Sequence, residues 1–208
     1  MFQSISTFLH RRTGRRLRLT ERIAPEEVAG EAVNLAISVV GKILVDPEWK
    51  KYVDPLGEKN AEEARIFQEL VGACLLMVYT SLDETIPFLP GERRVFWRQV
   101  RDAFLPTYLK QLSEEPNDNQ THWQKFFDFL LGEYDYAQKE TYNNFHSKLS
   151  LLRTDEDRQA SIRVMSLSAL CMSRVANGQA TADDTASVRC LQKHFDFLGK
   201  ENWRRFGW

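Results

Sequence analysis

The architecture of this chain is indicated most directly by residues 60–82, NAEEARIFQELVGACLLMVYTSL. Asn60 and Glu63 form the pair typical of a helix N-terminus, in which two side chains satisfy free backbone N–H groups. Apolar residues then recur at helical spacing over more than half of the circumference: Phe67, Leu70, Val71, Cys74, Leu75 and Val78. Because a helix that is apolar on so many sides must be covered by several neighbours, we expect a central helix here.

The rest of the chain is predicted to form further helices separated by turns. Pro25, which opens an acidic first turn, is typical of a helix start. Thr154 and Thr181 are each followed three residues later by an aspartate, which is a capping pattern. The other predicted helices cover residues 2–10, 25–46, 92–112, 121–152, 154–176 and 181–198.

These elements predict an all-α protein, a compact multi-helix bundle of about seven helices with no β-sheet. Residues 1–20 are interpreted as a basic amphipathic N-terminal arm, and residues 21–208 as a single helical domain. If the domain divides, the break falls near residues 113–120, the best loop in the chain. Pro47 to Gly57 are expected to form a turn region, and Pro106 is expected to bend or interrupt its helix.

Cysteine usage favours a reducing, cytoplasmic location. Cys74, Cys171 and Cys190 are an odd set without CxxC spacing, so neither a disulfide framework nor a zinc site is indicated. Buried free thiols are the expectation, and a redox pair of Cys171 and Cys190 is the alternative, since these two fall on neighbouring predicted helices.

We expect no transmembrane segment, because the longest apolar run, Ala73 to Tyr79, is far shorter than the ~20 residues that a span needs. The N-terminus begins apolar and turns basic, which is the reverse of a signal peptide. Its Arg-rich, acid-free composition matches a mitochondrial presequence, so the mitochondrial matrix is the alternative location.

Charge is divided unevenly along the chain. The first twenty residues, MFQSISTFLHRRTGRRLRLT, contain no acid and carry +5, whereas the remaining residues carry −6. An apolar part, Phe2 to Leu9, precedes the basic part. Guanidinium groups suit phosphate, carboxylate or an acidic protein face. We therefore expect partner binding by Arg11, Arg12, Arg15, Arg16 and Arg18, and the partner is either another molecule or the acidic body of this chain.

Two further basic stretches contain aromatic residues. On a helix through residues 92–109, Arg94, Arg98 and Arg101 project close together beside Trp97. They predict either a nucleic-acid groove or a solvated face whose arginines pair with nearby acids. The C-terminal residues 203–208, WRRFGW, either pack back on the bundle or insert into a partner. As partner-binding candidates in this segment we take Trp203, Arg204, Arg205 and Trp208.

No motif assigns catalysis. The chain lacks Glu-x-x-His and His-Glu-x-x-His, spacings that direct carboxylate and imidazole groups at one metal ion. It also lacks Gly-x-Ser-x-Gly and the glycine-rich nucleotide loops. For His10, His146 and His194, spacing identifies no partner. We therefore assign no catalytic residue, metal ligand or cofactor.

The leading hypothesis is a non-enzymatic interaction protein, an adaptor or subunit of an intracellular complex, whose arm engages a protein partner with an acidic surface. A nucleic-acid-binding accessory protein that uses the arm and the Arg/Trp helix face is the alternative. A third hypothesis is a helical enzyme or metal protein whose ligands are distant in the sequence. Self-association into a homo-oligomer is compatible with each of these hypotheses.

Overall fold

The computed structural model of this protein describes residues 23–53, 60–112, 118–152, 154–176 and 185–206. These ranges contain seven α-helices and no β-strand, which confirms the predicted all-α class. A short 3₁₀ helix, Ile86–Phe88, joins the third helix to the fourth. The helices are α1 Pro25–Val45, α2 Pro47–Val53, α3 Asn60–Thr85, α4 Gly91–Leu112, α5 Asp118–Leu149, α6 Asp155–Val175 and α7 Thr185–Phe206.

Helix α3 is the central element of the bundle. It packs against α1, α4, α5, α6 and α7, and every residue from 69 to 78 is buried. The prediction of a central helix is therefore confirmed. Because the middle of α3 is covered on all sides, its charged residues lie towards its two ends. Glu69 is the one charged residue within the buried stretch 69–78.

Local signals placed several helix ends correctly. Helix α1 begins at Pro25, and its first turn contains two glutamates. The Thr154 side chain caps α6 by accepting a hydrogen bond from the backbone N–H of Asp157 at 3.0 Å. Helix α4 continues through Pro106 to Leu112, so the proline does not interrupt it.

The predicted turn region that begins at Pro47 is partly wrong, because Pro47–Val53 form helix α2. Asp46 ends α1 and also caps α2, since its carboxylate accepts a hydrogen bond from the backbone N–H of Glu48 at 3.0 Å. Trp49 on α2 is fully buried, so this short helix is held by packing as well as by its cap. The last helix differs too, because α7 runs past Gly199 to Phe206.

Two helices are long and apolar enough to cross a membrane when length and hydropathy alone are considered. They are Pro25–Val45 and Glu62–Phe88. Neither was expected from the length of unbroken apolar runs, because polar residues interrupt both stretches. Half of the first window and 78% of the second are buried inside the bundle. Core helices satisfy the same criterion, so the described ranges contain no clear transmembrane segment.

The close approach of α5 side chains to Gly72 on α3 gives a first prediction. A Cβ atom at Gly72 would lie 2.5 Å from Leu130 Cδ1 and 2.9 Å from Phe126 Cε1, whereas one at Gly41 would meet nothing within 4 Å. We expect Gly72→Ala to lower the free energy of unfolding by about 1–3 kcal/mol through overpacking. Gly41→Ala should raise it by about 0.5–1 kcal/mol, because alanine is the better helix former.

Urea unfolding of both variants followed by circular dichroism measures these two changes. The Gly41 variant controls for the general effect of replacing a helical glycine by alanine. A Gly72→Ala protein as stable as the wild type would show that α3 and α5 do not approach this closely.

Candidate functional site

The arginines of the N-terminal arm, residues 11 to 18, and Trp208 lie outside the described residues. The division into an arm and a domain is likewise a prediction that the structure leaves untested. The remaining candidate residues all lie on α4 and α7.

The tryptophan of the proposed nucleic-acid face is part of the core. Trp97 is 1% exposed, and its ring packs edge-on against Phe96 and Phe206 with centroids 5.4 and 6.4 Å away. A base cannot stack on an indole that is buried in this way. In a nucleic-acid groove Trp97 would have to stack on a base, which its burial prevents; this side chain instead joins α4 to the end of α7.

The arginines beside Trp97 are engaged to different degrees. Arg101 forms ion pairs with Asp83 and Asp102, and Arg94 Nε donates a hydrogen bond to the carbonyl of Leu89 at 3.0 Å. Arg98 is exposed. Arg101 fits the interpretation of this helix face as a row of arginines paired with nearby acids.

The C-terminal aromatic segment is divided between core and surface. Phe206 is 6% exposed, whereas Trp203 is 65% exposed. Arg204 and Arg205 both bind the Glu201 carboxylate, at 2.6 and 2.7 Å. The hydrogen bond from Arg204, followed by that from Arg205, holds the pKa of Glu201 down at about 2. The local charge of this segment is thus lower than its sequence indicates.

Trp203 lines a groove of about 1750 Å³, formed by the C-terminal part of α3, the 3₁₀ helix and the start of α4 with α5, α6 and α7. Phe88, which is 85% exposed, also lines it. At one point of the groove wall, Arg163 is buried and donates hydrogen bonds to Ser81 and Glu84. Acidic side chains outnumber basic ones in the lining of this groove. The acidic residues are Asp83, Glu84, Asp135, Asp155, Glu156, Asp157 and Asp196, and the basic residues are Arg93, Arg163, Lys193 and Lys200.

A second site brings together three side chains that sequence reasoning did not connect. Asp46 lies at the joint between α1 and α2, while Cys190 and His194 lie one turn apart on α7. Their donor atoms all fall within 4.8 Å of one another. In the part of the chain that the structure describes, this is the one group of three His, Cys, Asp or Glu side chains close enough to share a metal ion.

The cluster is almost closed to solvent. Cys190 and His194 are 5% and 8% exposed, and the distance between His194 Nε2 and Asp46 Oδ2 is 3.1 Å. Lys193 extends over its rim, with Nζ 3.4 Å from the same carboxylate oxygen. Burial of this kind strengthens the interactions between the donors and keeps competing water away.

Electrostatics determine the protonation of the cluster. Burial alone would raise the pKa of Asp46, but hydrogen bonds from His194, the Glu48 backbone and Lys193 outweigh it and hold that pKa at about 2. Burial, followed by the Asp46 charge, raises the pKa of the Cys190 thiol to about 11. Near pH 7 the sulfur is therefore a neutral thiol beside a carboxylate, which is unlike the thiolate that a nucleophilic cysteine requires.

One signal for this cluster was present in the sequence. Cys190 and His194 are four residues apart, a spacing that places both on one helix face. The metal-binding patterns named above, Glu-x-x-His, His-Glu-x-x-His and CxxC, do not include a cysteine paired with a histidine at this spacing. Asp46 could not be found in this way, because it precedes Cys190 by 144 residues. All three cysteines are buried free thiols, as expected, and Cys74 interacts electrostatically with Cys171.

Comparison with known proteins gives this chain no relative: no family model matches it, and no curated protein or solved structure is detectably similar to it. The function must therefore be argued from the residues and their geometry.

Proposed function

We propose that this protein is a non-enzymatic interaction module, an adaptor or subunit of an intracellular complex, that anchors its partner through Trp203. The arginine arm, Arg11 to Arg18, would contact an acidic surface of the same partner. The observation that carries this proposal is the 65% exposure of Trp203 in the last turn of α7, three residues before Phe206, which is buried in the core.

An exposed tryptophan supports partner binding for a thermodynamic reason. A tryptophan side chain buries about 150–250 Å² when it is covered, and tryptophan is enriched among the residues that dominate binding energy. Trp203 is accompanied by Phe88 along the same groove. A partner that covers both rings would gain apolar burial at two points of one surface.

Charge supports the arm as the second contact. Its +5 over twenty residues, next to a remainder of −6, provides attraction that acts before contact and weakens as salt increases. The acidic excess of the groove offers an alternative place for this arm on the protein's own surface. An arm bound to the partner and an arm bound to this groove lead to different expected results, which the variants described below distinguish.

The experiment measures the complex size of the affinity-tagged full chain in cell extract by size-exclusion chromatography. Trp203→Ala is expected to weaken the complex by about 30-fold or more, the effect of a residue worth 2 kcal/mol at an interface. Tyr136→Ala is the matched control, since Tyr136 is 67% exposed and does not line the groove. It should leave the complex unchanged.

A second pair of variants tests the arm. Replacing its five arginines by glutamine should weaken the complex, and replacing them by lysine should weaken it less, because lysine keeps the charge but not the forked guanidinium. If the glutamine variant instead lowers only the stability of the protein at low salt, the arm binds its own body. Collapse of the complex after nuclease treatment would favour the nucleic-acid alternative, and unchanged complexes in all variants would contradict the proposal.

A further inference from the structure

We propose that Asp46, Cys190 and His194 form a binding site for a transition-metal ion of the zinc class, at the place where the joint between α1 and α2 meets α7. This site is independent of the partner-binding role of Trp203. It gives specific residues to the hypothesis of a metal protein with ligands distant in the sequence.

The geometry of the three donors suits a small ion. Zinc binds sulfur at about 2.3 Å and nitrogen or oxygen at about 2.0–2.2 Å, so tetrahedral donors lie about 3.3–3.8 Å apart. The donors here fall within 4.8 Å of one another, and His194 Nε2 lies 3.1 Å from Asp46 Oδ2. Changes of about 1 Å in the donor separations, shared between the side chains, bring these distances into the tetrahedral range.

The donor chemistry selects the class of ion. Sulfur and imidazole nitrogen favour zinc, cobalt and similar borderline ions, whereas magnesium and calcium require oxygen ligands. Three protein ligands leave a fourth position for water or an external ligand, as in zinc sites that keep an open position. The rim of the cluster at Asp46, whose side chain is 12% exposed, provides the approach for that fourth ligand.

Charge balance also fits a divalent ion. On binding, the Cys190 thiol releases its proton to solvent, and His194 Nε2 exchanges the proton that it donates to Asp46 for the ion, the ring then carrying its proton on Nδ1. Thiolate with carboxylate then supplies −2 against +2. The ammonium of Lys193 opposes the ion, since it lies 3.4 Å from Asp46 Oδ2, but its side chain is 72% exposed and can turn into water. Lys193→Gln should therefore tighten metal binding, because it removes this opposing charge and leaves all three ligands unchanged.

The test uses the full chain, reduced and stripped of metal with a chelator, and titrates it with Co²⁺. We expect a thiolate-to-cobalt charge-transfer absorption that saturates at one equivalent and is displaced by Zn²⁺. Cys190→Ala should abolish the band, and His194→Ala should weaken binding by about 100-fold or more, since even residues behind metal ligands change affinity by 10–100-fold. Cys74→Ala, which removes a buried thiol elsewhere in the core, is the matched control and should keep the band.

A measurement on the unmodified protein guards against variants that fail to fold. Zn²⁺ binds the folded chain and should raise its melting temperature, and Lys193→Gln should enlarge that increase at a fixed Zn²⁺ concentration. The proposal is overturned if neither Co²⁺ absorption nor a Zn²⁺-dependent melting shift is detected in the wild type. It is equally overturned if Cys190→Ala and Cys74→Ala give the same cobalt spectrum.

Discussion

Trp97→Ala is expected to lower the free energy of unfolding by about 3–5 kcal/mol, the range for removing a buried aromatic side chain. Trp97 is 1% exposed and contacts Phe96 on its own helix and Phe206 at the end of α7. Removing the indole leaves a cavity that α4 and α7 cannot fill without moving. The loss should therefore be large and should be accompanied by fraying of the last turn of α7.

Chemical denaturation of the wild type, Trp97→Ala and Trp203→Ala measures this difference directly. The Trp203 variant is the control, because it removes the same side chain from a position that is 65% exposed and should change stability by less than about 0.5 kcal/mol. A Trp97→Ala protein that kept its stability but lost affinity for single-stranded nucleic acid would show that Trp97 binds bases rather than supporting the core.

The fold was predictable from local signals because helix periodicity and capping act over a few residues. The Thr154 cap and the proline start of α1 depend on neighbours within one turn, and both were placed correctly. Helix α2 was missed for a related reason. The turn region predicted from Pro47 treats this proline as the end of α1, although an aspartate before a proline also suits the start of a helix.

The candidate sites were less predictable, since each depends on which helices meet. The helical spacing of α4 placed Trp97 beside three arginines, but only the fold shows that Phe206 covers it. In the same way, the spacing of Cys190 and His194 was readable, whereas the approach of Asp46 comes from the packing of α7 against α2. Spacing identifies residues that share a face, and tertiary packing determines what that face meets.

An ion pair between buried Glu69 on α3 and half-buried Arg174 on α6 is the basis of the second large effect. Glu69 is 7% exposed, and its two oxygens accept hydrogen bonds from Arg174 at 2.6 and 2.8 Å. The guanidinium also lies over the rings of Phe126 and Phe129 on α5, at 5.6 and 5.0 Å from their centroids. One side chain thus connects three helices.

Arg65 reinforces the same junction. It donates hydrogen bonds to the carbonyls of Arg174 and Val175, each at 2.8 Å, and these are two of the carbonyls that the end of α6 leaves without helical partners. Arg65 also pairs with Glu62 on its own helix. The C-terminus of α6 is therefore held by two arginines and two glutamates that α3 and α6 contribute together.

Glu69→Ala is expected to destabilise the protein by about 3 kcal/mol, the lower end of the range for breaking a buried pair, because Arg174 loses its carboxylate but keeps partial contact with water. The double variant Glu69→Leu/Arg174→Met should recover most of that loss, since apolar side chains of similar volume often replace a buried ion pair without cost. Asp196→Ala is the control, because it breaks an ion pair with Lys200 in which the Asp196 and Lys200 side chains are 50% and 75% exposed. This variant should change the free energy of unfolding by less than about 0.5 kcal/mol. Denaturant unfolding of the three variants gives these values, and a double variant no more stable than Glu69→Ala would show that the ion pair itself, rather than the avoidance of an unpaired charge, holds α3 against α6.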